Sequence, residues 1–379
     1  MIYLDNSATT KPYDEVLHAF AHVATRFFAN PSSLHGLGAE AENLLAQARK
    51  QISGLLGADE KEIIFTSGGT EGNNLAIKGA AFSLKKRGNH IITTQIEHPS
   101  VIESCRQLKE LFDFDVTYLP VNEEGIVKVE DIKKNIRKET ILVSVMHVNN
   151  ETGAIQPIEK ISSLLKDFPG IYFHVDHIQG AAKVPLSLKG IDLCTLSGHK
   201  FHALNGCGVL YVRKGIKIEP LLSGGAQEMQ ARSGTESIAL AVSMAKALRM
   251  SSEKYEACKN DLQKMKRMLI RELNKIDGIV LNTAEIASAP HIINFSAPGI
   301  QAEVLLHMLE QSGIFVSTTS ACSSKRKKSS TVLLAMGKGE AAASSSIRIS
   351  LSYENTMEEL EEFMAVLKKS LEKLTKLKR

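Results

Sequence analysis

The sequence predicts an α/β fold: a mostly parallel seven-stranded sheet covered by helices, followed by a smaller α+β unit at the C-terminal end. Three observations carry that expectation. Between about residues 60 and 215, short β-branched apolar runs alternate with helix-forming stretches. The run ILVSVMHV, residues 141–148, has almost no polar break, as a strand buried on both faces requires. After about residue 236 the alternation stops and a long stretch rich in Ala, Met, Leu and Lys takes over.

In chain order, Glu62–Thr66 (EIIFT) reads as the first strand and runs into SGGTEGNN, beyond which Thr70–Lys86 reads as helix. His90–Gln95 and Val116–Pro120 are strands on either side of the helix Ser100–Phe112. Ile141–Val148 follows the short helix Val129–Ile136, and Ile171–Asp176 follows the helix Ile158–Phe168. Leu193–Leu196 and Gly208–Val212 complete the seven strands. A long helix from Ser237 to Ile276 leads to the second unit, with IVLN, HIINFSA and SIRISLS as strands and helices over Glu303–Ser312 and Met357–Leu374. The segment Ser323–Ser330, SSKRKKSS, lacks any apolar residue and reads as a mobile loop.

Composition narrows the function classes. With 379 residues, 43% hydrophobic and 23% charged, the chain is neither disordered nor fibrous and is long enough for two or three domains. No run approaches the roughly 20 apolar residues that span a bilayer, and Asp5 falls where a signal peptide needs its apolar core. A cytoplasmic protein without a membrane partner is expected. Lys+Arg 46 against Asp+Glu 42 leaves a net charge of +4, which does not call for direct nucleic-acid binding. The five cysteines, Cys105, Cys194, Cys207, Cys258 and Cys322, contain no C-x-x-C pair, so neither a disulfide framework nor a zinc knuckle is indicated.

Ligands of open α/β sheets bind beyond the carboxyl ends of the strands. After EIIFT, the glycines of SGGTEGNN allow close backbone approach, and the helix start with the Ser67 and Thr70 hydroxyls suits a phosphate. The segment has neither the Lys of G-x-x-x-x-G-K-[ST] nor the spacing of G-x-G-x-x-G, which favours a monophosphate over a nucleotide; a plain helix cap is the bland alternative. The strand IYFHVDHIQ ends in Asp176 between His174 and His177. Strand alternation points His174 and Asp176 to one face and His177 to the other, so no metal site is expected. A buried strand-end carboxylate needs a cation, and a protonated pyridine nitrogen is one. The strand LCTLS then ends at Gly198-His199-Lys200, and a partly desolvated lysine is a good Schiff-base former. Phosphate cradle, carboxylate and lysine together describe a pyridoxal phosphate site.

At this point the sequence resembles the cysteine desulfurases, the NifS-like (NifS/IscS-like, long-loop) branch of the class V aminotransferases, a fold-type-I pyridoxal-phosphate-dependent family. The matching stretches are YLDNSATT, ANPSSLHGLG, FTSGGTEGNN, EHPSV, MHVNNETG, FHVDHIQ, LSGHK, RSGTES, SACSS and SIRISLS, in family order from residue 3 to 352. The resemblance implies a large cofactor-binding domain over residues 16–255, and a small domain of residues 1–15 and 256–379 with a catalytic-cysteine loop at about 320–331. It implies that Lys200 holds pyridoxal 5'-phosphate covalently, that Asp176 keeps the pyridine nitrogen protonated, and that His98 stacks on the ring and shuttles protons. Gly69, Thr70, Ser197 and His199 are then phosphate ligands, Gln179 reaches the phenolic oxygen, and Asn150 lies near ring and substrate. Thr235 contacts the phosphate of a neighbouring subunit, so a homodimer is implied. Arg348 clamps the carboxylate of L-cysteine, and Cys322 takes its sulfur as a persulfide, leaving L-alanine. Independently of the family, Lys325, Arg326, Lys327 and Lys328 beside Cys322 favour thiolate over thiol.

The implied function is a cysteine desulfurase that passes sulfur to an acceptor protein for iron-sulfur cluster assembly or for tRNA or cofactor thiolation. The run KRKK stands where many relatives have a nearly uncharged loop, and Leu204-Asn205-Gly206-Cys207 replaces a glycine-proline-lysine-glycine turn. An acidic acceptor surface, or work close to RNA, is one reading of the basic run; a solvated loop is the other. A selenocysteine lyase or another class V aminotransferase is the alternative within enzymes, and an inactive interaction module on the same fold is the alternative outside them.

Overall fold

The computed structural model describes residues 1–318 and 329–376. In chain order the elements are β1 (Ile2–Tyr3), α1 (Asp14–Arg26), α2 (Gly36–Leu56), β2 (Ile63–Thr66), α3 (Gly69–Leu84), β3 (His90–Thr94), α4 (Pro99–Phe112), β4 (Asp115–Leu119) and α5 (Val129–Asn135). They continue with β5 (Thr140–Met146), α6 (Ile158–Leu165), β6 (Tyr172–Asp176), β7 (Leu193–Ser197), β8 (Gly208–Val212) and α7 (Ile238–Leu273). The C-terminal part holds β9 (Val280–Leu281), β10 (Ile292–Ser296), α8 (Ala302–Glu310), β11 (Ile314–Phe315), β12 (Ser317–Thr318), α9 (Thr331–Ala335), α10 (Glu340–Ala343), β13 (Ser346–Ser350) and α11 (Met357–Lys376).

The central sheet has seven strands in the order β2-β8-β7-β6-β5-β3-β4, and β8 alone runs antiparallel to its neighbours. Strand alternation sends adjacent side chains into two different cores. Ile63, Val143 and Val175 pack on one face with Leu45 and Ile52 of α2 and Met244 and Leu248 of α7. Ile64, Leu142 and Leu210 pack on the other with Leu75 of α3 and Val101 and Leu108 of α4. The 36-residue α7, about 54 Å long at 1.5 Å per residue, carries its second half into a third core, where Leu262 and Leu269 meet Phe295, Ile347 and Phe363. That core lies on a four-stranded antiparallel sheet, β12-β13-β10-β9, and takes Ile2 and Leu4 from the chain start. No helix among the described residues is long and apolar enough to cross a membrane.

All seven expected strands of the central sheet are present, with ends shifted by at most two residues and Gly208–Val212 not shifted at all. β5 stops at Met146 because Val148 forms an isolated bridge with Ile155 after a turn. Helices α1 and α2 are not anticipated by the sequence reading; the buried stripe of α2 includes Gly38, Ala41 and Ala48, small residues that leave little apolar signal. The C-terminal limit expected for the serine- and lysine-rich loop is also corrected. Ser330 is 4% exposed, accepts a hydrogen bond from Leu333 N at 3.0 Å as the cap of α9, and donates to Glu151. Cys322 and the run Lys325–Lys328 lie outside the described residues.

Candidate active site

The parallel strands β2, β7 and β6 end on the same edge of the sheet, and a cavity of about 410 Å³ opens there. Its floor is the start of α3. Gly68 precedes the helix at φ 149°, a conformation that favours glycine, and provides no side-chain cap. A Cβ on Gly69 would meet Ile178 Cδ1 at 2.3 Å and Ser197 Cβ at 3.3 Å, so a larger residue there would require its neighbours to shift. Gly69 N donates to Ser197 Oγ at 3.3 Å, and Thr70 and His199 complete this end of the cavity. Glu71 Oε2 accepts from Ser67 N at 2.7 Å while Arg232 Nε donates to Glu71 Oε1 at 2.9 Å. Burial pushes the Glu71 carboxyl up, but the bonds from Arg232 and Ser67 outweigh it and hold it below the ordinary range. Its charge is thereby spent on Arg232 and not on an incoming anion.

Opposite the cradle, Asp176 closes β6 and is 4% exposed. Its Oδ1 accepts from Ile178 N at 3.0 Å and its Oδ2 from Asn73 Nδ2 at 2.8 Å. Burial raises the Asp176 pKa against the opposing pull of His98, these two donors and Lys200, so the carboxylate is one that a cationic ring nitrogen would stabilise. Asn73 also donates to Ser100 Oγ at 2.9 Å, and Ser100 Oγ stands 2.8 Å from His98 Nδ1, which accepts from Ser100 N at 3.1 Å. With Nδ1 committed as acceptor, the neutral tautomer carries its proton on Nε2. Burial, with Lys200 adding to it, lowers the His98 pKa despite Asp176 and keeps the ring neutral.

Lys200 is half-buried, and its Nζ donates to Ser7 O at 2.6 Å and Ala8 O at 2.7 Å. Gln179 Nε2 donates to the same Ser7 carbonyl at 3.0 Å, while its Oε1 is buried without a partner among the described residues. Beneath the lysine, Lys183 Nζ donates to Lys200 O at 2.6 Å, and burial, then Lys200, lower the Lys183 pKa to about 7. His199 is lowered to about 4 by burial and then by Lys200 and Lys183. The lysine end of the cavity is therefore flanked by basic groups that burial pushes toward their neutral forms, Lys183 and His199.

Arg348, on β13, reaches the same cavity as Asn150 from the other side. It donates through Nη1 to Asn150 O at 2.9 Å and through Nη2 to Asp5 Oδ1 at 2.8 Å. The pyridoxal phosphate site read from the sequence fits these residues: a helix start with glycine and hydroxyl groups, a buried carboxylate, a Gln179 oxygen without a partner among the described residues, and a lysine, all on one cavity. His174 and His177 have protein partners instead, His174 with Ser144 and Thr195 and His177 with His147. Thr235 lines a different cleft, with Ser67, Gly206 and Arg232, and does not line this cavity. The sequence reading missed Asn73, Asp5, Lys183 and the Ser7 and Ala8 carbonyls; Asn73, in the first turns of the helix after the glycines, had a positional signal, and the others had none.

The sequence pattern of the class-V aminotransferases matches residues 2–363. A NifS/IcsS protein homolog from Lactobacillus delbrueckii subsp. bulgaricus is 45% identical, with 96% of each chain covered. A cysteine desulfurase IscS from Dictyoglomus turgidum is 43% identical over 98% of this chain and 95% of its own. Among solved structures, a NifS-like protein superposes with a TM-score of 0.93 at 36% identity, covering 98% of this chain and all of the other.

Proposed function

Because this chain belongs to the class-V aminotransferase family, we propose which of its residues perform the reaction of its cysteine desulfurase relatives. It is a pyridoxal-phosphate-dependent cysteine desulfurase acting on L-cysteine. The observation that carries the residue assignment is the convergence of the α3 start, Asp176, Lys200 and Arg348 on one cavity.

When bound, pyridoxal phosphate supplies a carbonyl that captures an amine and a ring that accepts an electron pair from substrate carbon. Gly69, Thr70, Ser197 and His199, around the α3 start, would hold its phosphate, Asp176 would hold its ring nitrogen, and His98, Gln179 and Asn150 would hold the rest of the ring. Asn73 holds Asp176 and, through Ser100, His98 in register. Arg348 binds the substrate carboxylate with the donors it does not use on Asn150 and Asp5. Lys200 Nζ removes and returns the proton at the substrate Cα. The Cys322 thiolate takes the sulfur. The balance is L-cysteine plus the Cys322 thiol giving L-alanine plus the Cys322 persulfide: one S–S bond forms, one C–S bond breaks, and the thiol proton is returned to carbon.

The enzyme works as a homodimer in which Thr235 of one copy reaches the phosphate end of the other; Thr235 lines the neighbouring cleft and not its own cavity. It is cytoplasmic, and it delivers sulfur to an acceptor protein of an iron-sulfur or thiolation pathway. The run Lys325–Lys328 supports an acidic acceptor surface. Mass spectrometry after incubation with L-cysteine tests the assignment: an extra sulfur on Cys322 is expected, and its appearance on another cysteine, or alanine release undiminished in Cys322→Ser, contradicts it. Charge reversal of Lys325, Arg326, Lys327 and Lys328 slows transfer to the acceptor while persulfide formation is unchanged; an unchanged transfer rate contradicts the acidic-acceptor reading.

A further inference from the structure

Arg348 is held from behind as well as exposed to the cavity. The first residues of the chain run beside β13: Ser350 N donates to Leu4 O at 2.7 Å, Ser7 N donates to Ser350 Oγ at 2.8 Å, and Asp5 bridges Ser350 in parallel. Arg348 and Ser350 are two residues apart on the strand and share a face, so this pairing sets Asp5 against the guanidinium. Asp5 itself does not line the cavity. The Arg348 side chain is 5% exposed, and among the described residues Asp5 is its one ion-pair partner. Glu151, the other acid that acts on Arg348, is half-buried and bonded to Ser330, and burial raises its carboxyl to about 7, so it offers less negative charge than Asp5 at neutral pH. Asn150 O takes one Nη1 donor and Asp5 one Nη2 donor, while Nε, buried, has no partner among the described residues. The guanidinium thus keeps donors for an incoming carboxylate but has its charge already countered.

We propose that Asp5 is a positioning residue that orients Arg348 and pre-neutralises it, setting a ceiling on the affinity for amino-acid carboxylates. The inference rests on the reading of Arg348 as the carboxylate clamp. L-cysteine and L-alanine carry the same carboxylate, so a clamp of full strength would hold product as tightly as substrate and would gain nothing at the chemical step. A counter-charge built into the fold weakens both equally and lets the product leave. It also removes the cost of an unpaired buried cation while the cavity is empty.

The test is the dissociation constant of L-alanine for the cofactor-loaded protein, read from the visible band of the bound cofactor, in the wild type, Asp5→Asn and Arg348→Ala. Asp5→Asn keeps an acceptor for Nη2 but removes the charge. Its affinity for L-alanine is expected to rise about tenfold, because the ligand becomes the sole anion on a buried cation. The thermal midpoint of the empty variant falls, and saturating L-alanine restores it. Unchanged or weaker binding in Asp5→Asn overturns the proposal, since a merely structural role lowers affinity and stability together. Arg348→Ala separates the two layers: wild-type binding there overturns the clamp reading, whereas lost binding there with no gain in Asp5→Asn overturns only the role of Asp5. If Asp5→Asn does not fold, the wild type still decides by comparison with L-alaninamide, which lacks the carboxylate. A penalty within about tenfold of L-alanine is expected for a pre-neutralised clamp, and one beyond about a hundredfold contradicts it.

Discussion

Replacing Asn73 by alanine separates a side chain that organises the cofactor site from one that only fills the helix. Asn73 is fully buried, and its single amide group serves Asp176 Oδ2 at 2.8 Å and Ser100 Oγ at 2.9 Å. Alanine leaves the backbone of α3 intact and removes one of the two hydrogen-bond donors to the Asp176 carboxylate, leaving the Ile178 N–H at 3.0 Å. A hydrogen bond to a charged group contributes about 1.5–3 kcal/mol, and about 1.4 kcal/mol is a factor of ten, so the negative form of Asp176 is weakened by roughly tenfold to a hundredfold. Because that form is the one that faces a protonated ring nitrogen, the cofactor dissociation constant should rise by a comparable factor. The assay is absorbance titration of the cofactor-free protein with pyridoxal phosphate. Asn74→Ala is the control, since Asn74 is half-buried and its side chain bonds Thr70 O, one turn back, at 2.9 Å, and not Asp176. A cofactor affinity in Asn73→Ala within twofold of the control, in a protein that still unfolds cooperatively, would refute the reasoning.

Three further outcomes are expected. Glu97 is fully buried and burial raises its pKa to about 8, so the native state holds a proton that the unfolded chain releases near 4.5. The stability this contributes is complete below pH 4.5 and is lost as pH rises to about 8; thermal midpoints of Glu97→Gln and wild type should therefore diverge across that window in favour of the variant, and a constant gap contradicts the shift. Arg49→Ala strands the Glu228 carboxylate, which is 2% exposed and pairs with Arg49 at 2.8 Å, and should cost about 3–5 kcal/mol in denaturant unfolding; a loss below about 1 kcal/mol contradicts the pairing. Burial pushes the Cys105 and Cys207 thiols up to about 12, so native alkylation at pH 8 should spare both, as peptide mass mapping would show.

What the sequence disclosed follows from how local each signal is. β5 was legible because a strand buried on both faces must be apolar throughout, and TILVSVM is so nearly throughout. The cradle, Asp176 and Lys200 were legible because each sits just past a strand end, where the chain order itself places ligands. Helices α1 and α2 were not, since α2 buries Gly38, Ala41 and Ala48 and so presents a weak apolar period. The partners of the site were also hidden. Lys200 rests on Ser7 and Ala8 some 190 residues away, and Arg348 on Asp5 across 343 positions, and no spacing rule predicts either contact. Lys183 reads in sequence as a lysine near a turn, and only the fold shows it buried beneath the Lys200 carbonyl.

The central claim is that this cavity and Cys322 together move sulfur from L-cysteine. It is tested most directly by the visible spectrum of the purified protein before and after L-cysteine, with alanine assayed in the same tube and Cys322→Ser run beside it. The account predicts a cofactor band that shifts on cysteine in both proteins, with alanine formed only when Cys322 is present. A band that responds equally to other amino acids, together with full turnover in Cys322→Ser, would keep the fold and the cofactor and contradict the reaction.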